Sequence, residues 1–239
     1  VRIDGGEGSS SHSDDGGDGG AVELYGGESK GESKNDSGGD IKLSGGTSQS
    51  GYGGSMHLQS GYGTSTSSGV VFIRTSNAGQ YGTSGDMALE TGTSSHGKSG
   101  SISLLTGDSS KSSSGDVDIL VGSSDSSDGG RIHLKAGSSD SFSGKGGSIA
   151  IASGSGDFTS SGGLFLFTSN AGSWGESGDL ALNSGSATRG NSGKISIVSG
   201  PSKEAKAGNL LLQVGMSQKG NGGDISINSG EASGQNFKG

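Results

Sequence analysis

Apolar and polar residues alternate in short, regularly spaced bursts along this chain. The unit reads Gly-x-h-x-h-x-small-Gly, with h apolar, as in GDMALETG from Gly85, GSISLLTG from Gly100, GDVDILVG from Gly115 and GRIHLKAG from Gly130. Taking the first apolar residue of each unit as its lead, leads fall at Val1, Val22, Ile41, Met56, Val71, Met87, Ile102, Val117, Ile132, Ile149, Leu164, Leu180, Ile195, Leu210 and Ile225. These are fifteen units, and after early intervals of 21 and 19 residues the spacing settles close to 15.

The irregular intervals are informative. From Met56 they run 15, 16, 15, 15, 15, 17 and then 15, 16, 15, 15, 15, so the six leads from Met56 to Ile132 each have a partner 93 residues on. The pentapeptide TSNAG, at Thr75–Gly79 and Thr168–Gly172, sits in the 16-residue unit of both sets. Chance recurrence in a small alphabet does not keep insertions in register, so a six-unit block has been duplicated in tandem. The expected organisation is one domain over 1–239, with three units and longer loops in 1–55, a six-unit block in 56–148 and its duplicate in 149–239.

Within a unit the alternation is strict. Ile102, Leu104 and Thr106 fall on one side, Ser103 and Leu105 on the other, which is the pattern of a strand with one face buried. One short strand per 15 residues leaves no room for helices, and the intervening Gly and Ser are poor helix formers. The pattern therefore predicts an all-β fold, a single β-solenoid of about fifteen 15-residue coils with parallel, in-register strands. The residue seven after the lead is always small (Ser48, Gly63, Ala78, Ser94, Ser109, Ser124 and onward to Ala232). It is expected to face inward, giving a thin core of Ile, Leu and Val against Ser, Ala and Gly. Gly92, Gly107, Gly122 and Gly137 are expected to supply positive φ or close approach at the arches. Ser76–Asn77 and Ser169–Asn170 would form a one-residue bulge, Asn tolerating the left-handed region. Asp116 before Arg131, and Asp179 before Lys194, look like a charge ladder between stacked coils. At ~4.8 Å per coil the rod would be about 70 Å long.

Composition pulls the other way. The chain has 239 residues, with 54 Gly, one Pro and 26% hydrophobic residues, an amount of apolar surface that ordinarily fails to offset chain entropy. Stacked coils sharing a continuous ladder are the expected way out. The formal charge of −8, from 16 Lys+Arg and 24 Asp+Glu, argues against nucleic acid as a partner. The absence of cysteine excludes disulfides, thiolate zinc sites and a thiol nucleophile. No apolar run is long enough to span a membrane. The chain opens at Val1 with no signal-peptide features, which fits either a removed targeting segment or a piece of a longer protein.

Candidate sites are few. Phe72, Leu105, Leu120, Phe165, Phe167, Val198 and Leu211 fall on the face expected outward, Phe72 and Phe165 at equivalent positions 93 residues apart. They form a candidate stripe for lateral packing or a docked partner. Tyr81 and Trp174 are likewise equivalent, in the TSNAG units, and are candidates for stacking on sugar. His12, His57, His96 and His133 have no metal-ligand spacing. Ser/His/Asp combinations such as Asp118 with His133 carry no weight among so many serines, so no catalytic residues and no cofactor are expected. The stretch DDGGDGGAVEL at Asp14–Leu24 shares Gly and Asp with calcium-binding nonapeptides but does not keep their period. Asn35-Asp36-Ser37 is an N-glycosylation sequon, and TSTSS at Thr64–Ser68 and SSKSSS at Ser109–Ser114 are candidate O-glycan clusters.

The ends matter in a solenoid, because uncapped terminal coils expose strand edges. Val1 and Ile3 in the first unit, and Ile225 and Ile227 in the last, are the candidate end-to-end contacts of a head-to-tail homopolymer. The repeats SGDMALETG and SGDLALNSG resemble the Gly/Ser-rich repeat proteins predicted in diatoms and oomycetes as cell-wall or surface-anchor proteins. That resemblance covers almost the whole chain and implies an extracellular or cell-surface structural role without catalytic residues. The expected function is thus a structural subunit of an extracellular fibre, with a carbohydrate-binding adhesin as the alternative. An ice-binding solenoid fits less well, because its outward slots would be an array of Thr, and here they hold Arg, His, Phe, Ala, Asp and Ser.

Overall fold

Glycine stands two residues before nearly every lead, and its reason is steric. In the computed structural model, which describes residues 1–12 and 16–230, the loop after each extended segment returns to its own start. The residue four after the lead ends up against the glycine two before the next lead. A Cβ on Gly100 would lie 3.1 Å from Thr91 Cβ, one on Gly130 2.6 Å from Val121 Cγ1, and one on Gly223 3.1 Å from Val214 Cγ1. The same residue pair meets in every loop from Ser60–Gly69 to Val214–Gly223, in most of them at ordinary contact distances of 3.4–3.9 Å. In the three early units the fourth residue is itself glycine (Gly5, Gly26, Gly45). A Cβ there would collide with the carbonyl oxygens of Gly20, Gly39 and Gly54.

Six of these loop bases are also closed by a backbone hydrogen bond. The N–H groups of Gly20, Gly39, Gly54, Gly69, Gly147 and Gly162 donate to the carbonyls of Gly6, Gly27, Gly46, Gly61, Gly137 and Gly154 at 2.7–2.9 Å. The result is a series of Ω-type loops with touching ends, separated by extended segments. Two units make up the chain, Val1–Ile119 and Leu120–Gly239, and both are built this way.

The all-β solenoid is overturned. Among the described residues there is no helix and no strand, and no side chain is buried. Among the described residues no backbone hydrogen bond beyond the loop bases joins one extended segment to another. The chain exposes 24779 Å², whereas a folded monomer of this mass would expose about 9,700 Å² and a fully unfolded one about 33,500 Å². The physical reason lies in the loops. Six of them are satisfied locally by a backbone hydrogen bond at the glycine base, which joins two successive segments at one point and not along their length. Parallel stacking would instead require hydrogen bonds along the full length of both. The apolar shortfall in the composition outweighs the alternation in the pattern.

The small residue seven after the lead is no core residue either; it shapes the loop. Ser48, Ser94, Ser109, Ser124, Ser202 and Ser217 each accept a hydrogen bond at Oγ from the N–H three residues on, at 2.9–3.2 Å, and Ser139 does so from Ser141 at 3.4 Å. These are hydroxyl-capped turns. Where the slot is glycine, the chain folds onto it. A Cβ on Gly63 would lie 2.7 Å from the Ser67 carbonyl oxygen, and one on Gly156 2.7 Å from that of Ser160. Ala187 has no such explanation, and Ala232 lies outside the described residues.

Other details of the solenoid go with it. No described residue has positive φ, glycine included, and a Cβ on Gly92, Gly107, Gly122 or Gly137 would meet nothing within 4 Å. Ion pairs among the described residues run along single segments, Arg2 Nε to Asp4 at 2.7 Å and Lys42 Nζ to Asp40 at 3.1 Å. Both join residues two apart on one side of extended chain, and Asp179 and Lys194 form no such pair.

Far-UV circular dichroism tests this architecture. Dilute, unassembled protein is expected to show neither helix nor sheet bands. A strong sheet spectrum unchanged by hundredfold dilution would refute the unpaired segments.

Candidate functional site

Although no described residue is buried, the two faces of the segments differ. The leads from Val22 to Ile225 are 47–60% exposed, while Phe72, Leu105, Leu120, Phe165, Phe167, Val198 and Leu211 on the opposite face are 76–85% exposed. The leads are therefore about half covered in unit after unit, while the second aliphatic of the same face, from Leu24 to Leu212, is 59–74% exposed. The other face stands free. Phe72 and Leu105 lie in the first structural unit, and Leu120, Phe165 and Phe167 in the second. The Phe165 ring folds back over Gly163, where a Cβ would come within 2.9 Å of ring carbons.

The TSNAG units explain their extra residue. Position seven there is Ala78 or Ala171, which has no hydroxyl to cap a turn. A backbone turn replaces the cap: Gly82 N–H donates to the Gly79 carbonyl at 3.3 Å, and Gly175 N–H to the Gly172 carbonyl at 3.5 Å. The same third position of each turn carries Tyr81 and Trp174, 94% and 101% exposed. Two aromatic rings at the tips of matching turns are the most distinctive side-chain arrangement in the chain. Just before Tyr81, Arg74–Asn77 line a polar cleft of about 200 Å³, and the counterpart of Arg74 in the second block is Phe167.

Two larger clefts are formed by the extended segments themselves. One, of about 550 Å³, lies between Lys42–Gly45 and Ser55–Leu58, and the other, of about 520 Å³, between His133–Ala136 and Ser148–Ala150. Sequence reading missed both, because the period shows where segments recur and not that neighbours diverge. The capping serines were legible in principle from Ser-x-x-Gly spacings such as Ser48–Gly51, Ser94–Gly97 and Ser217–Gly220.

The remaining candidates stay apart. His57 and His133 each line one of the segment clefts, and His96 Nδ1 lies 3.1 Å from Ser95 Oγ. Among the described residues no group of His, Asp or Glu is arranged to hold a metal ion. Asp14 and Asp15 of the calcium-like stretch lie outside the described residues. Asn35 is exposed in a turn in which Asp36 N–H donates to the Ser33 carbonyl at 3.1 Å and Asn35 N–H to Ser33 Oγ at 3.2 Å. Val1, Ile3, Ile225 and Ile227 are exposed like other segment residues. The stacked-coil form of their end-to-end contact goes with the solenoid. Among the described residues no helix is long and apolar enough to cross a membrane.

Comparison with protein-family models, curated proteins and solved structures found no match for this chain. The surface-anchor resemblance therefore rests on the repeat residues alone.

Trp174 is the sole tryptophan, so its fluorescence reports its turn directly. Its emission is expected at the wavelength of free tryptophan, with full access to a neutral quencher in dilute protein. A blue-shifted, quencher-resistant emission from the unassembled chain would contradict the exposed turn.

Proposed function

We propose that this protein is a structural subunit of an extracellular fibre or filament, with other copies of itself as its main partner. One observation carries the reading: the apolar pair of every unit is left exposed, the leads from Val22 to Ile225 at 47–60%, on segments that share no backbone ladder among the described residues. A periodic row of half-covered aliphatics beside free N–H and C=O groups is the edge-and-patch combination that ordinary monomers avoid. A repeat protein whose units are unfinished alone gains stability by association with the same units elsewhere. Covering the exposed half of a lead side chain is worth about 1 kcal/mol, small singly but repeated through the chain. The sequon at Asn35 and the Ser/Thr-rich loops suit a location outside the cell. The solenoid route to assembly is replaced by the segments as the contact surface.

The experiment is assembly itself. Light scattering over rising concentration should show growth above a threshold, and electron micrographs should show filaments. Ile102→Ala, Ile132→Ala and Ile195→Ala together should raise that threshold on the order of 100-fold. Monodisperse particles at every concentration would dismiss the reading.

The paired tips Tyr81 and Trp174 favour a second reading, a carbohydrate-binding surface adhesin. Flat rings presented twice at equivalent turns suit stacking on sugar faces, and two sites on one chain would add avidity. In a glycan screen followed by fluorescence titration, Trp174→Ala should abolish saccharide-induced changes in emission, and Tyr81→Ala should lower avidity at least tenfold. Absence of binding to any glycan would dispose of it.

A further inference from the structure

The two segment clefts share one construction. Each is a wedge whose walls meet at a glycine pair, Gly46–Gly54 or Gly137–Gly147, and share no backbone hydrogen bond beyond it. The wedge between His133–Ala136 and Ser148–Ala150 holds about 520 Å³. Three residues of extended chain occupy about 480 Å³, from a 3.3 Å rise, a 4.8 Å spacing between neighbours and a thickness of 10 Å. The wedge thus has room for about three residues of one more extended segment, and both walls offer that segment free N–H and C=O groups.

The walls also select which segment fits. Along Ile132–Lys135 the aliphatic residues Ile132 and Leu134 alternate with His133 and Lys135, and no acidic residue lines the wedge. Asp116–Ile119 is the complement, with Asp116 and Asp118 alternating with Val117 and Ile119. Both the basic pair and the acidic pair are spaced two residues apart. Pairing the segments in either direction therefore sets carboxylates opposite the imidazole and ammonium, and aliphatics opposite aliphatics. Asp86–Glu90 matches only partly, because its acids are four residues apart with Ala88 between them. The segments after Asp179 and Asp224 carry a single acid each. The Lys42–Gly45 wedge is less selective, because Lys42 is already paired with Asp40 at 3.1 Å.

We infer that the wedge at His133–Ala136 and Ser148–Ala150 takes the Asp116–Ile119 segment of a second copy by strand addition. The inference rests on the reading of the protein as a self-assembling subunit and supplies that reading with a contact. Segment and wedge are different surfaces, so the contact is heterologous, and each copy that fills a wedge brings an empty one. Such a contact propagates and needs no special chain ends.

A charge exchange tests it on the full chain. Lys135→Glu is made in one protein and Asp116→Lys with Asp118→Lys in another; all three positions are exposed, so no core is disturbed. Each variant alone should need at least tenfold higher concentration to assemble than the unaltered chain. An equimolar mixture should recover the original threshold, because each variant's wedge then meets an opposite charge. Assembly of either variant at the original threshold would overturn the inference while leaving the fibre reading intact. Loss in both without recovery on mixing would overturn it too. Failure of the unaltered chain to assemble at all would remove the fibre reading and this contact together.

Discussion

The structure depends on a missing Cβ. At the tightest loop closures the side chain that ends one segment occupies the space a methyl group would fill on the glycine opening the next, as Val121 does over Gly130. In the early units a carbonyl oxygen does the same over Gly5, Gly26 and Gly45. That close approach sets the loop length and the point where successive segments meet. It also explains why glycine recurs there although no described residue has positive φ. Its role is proximity rather than conformational freedom. Because the base is a single point of contact, it fixes loops firmly and leaves segments free.

Most of the loops are finished by the residue seven after the lead, in three ways. A serine hydroxyl caps the bend, a glycine admits carbonyls against its Cα, or, in the two TSNAG units, an alanine is followed by a backbone turn one residue longer; Ala187 follows none of them. The third solution accounts for the 16-residue interval in the TSNAG units, and the duplicated loops share their local geometry: Gly63 with Gly156, and Gly79–Gly82 with Gly172–Gly175. Duplication preserved turn chemistry, which is why the insertions stayed in register.

Period, duplication and the two faces of each segment were legible in the sequence, because all three follow from side-chain identity at fixed spacing. The half-covered leads and the free face of Phe72 or Leu105 follow the alternation. Tyr81 and Trp174 occupy equivalent turns, as their spacing implies. The pairing of segments was not legible. Alternation states which way a side chain points and is silent on which backbone receives the hydrogen bond. Smallness at Ser94 or Ser109 reads equally as tight packing or as a cap, and only the Oγ contact three residues on separates them. The wedges were invisible for the same reason, being products of divergence between segments.

An unfinished unit has consequences for how a chain of them behaves. A segment with two half-covered aliphatics and unpaired amides gains little from one partner, since ordering its flanking Gly and Ser residues costs about 1–2 kcal/mol per residue fixed. Here part of that ordering is already done by the glycine bases and serine caps, which hold the loops whether or not the segments are paired. Association then needs to order only the segments themselves, and it recurs at the same 15-residue spacing in every copy. Once one wedge is filled, neighbouring segments are brought to high effective concentration and later contacts form at lower entropic cost. Weak units with pre-formed loops therefore favour long assemblies over isolated pairs. A duplicated block is the evolutionary move that such additivity rewards, because each added unit extends the assembling surface without requiring a new core.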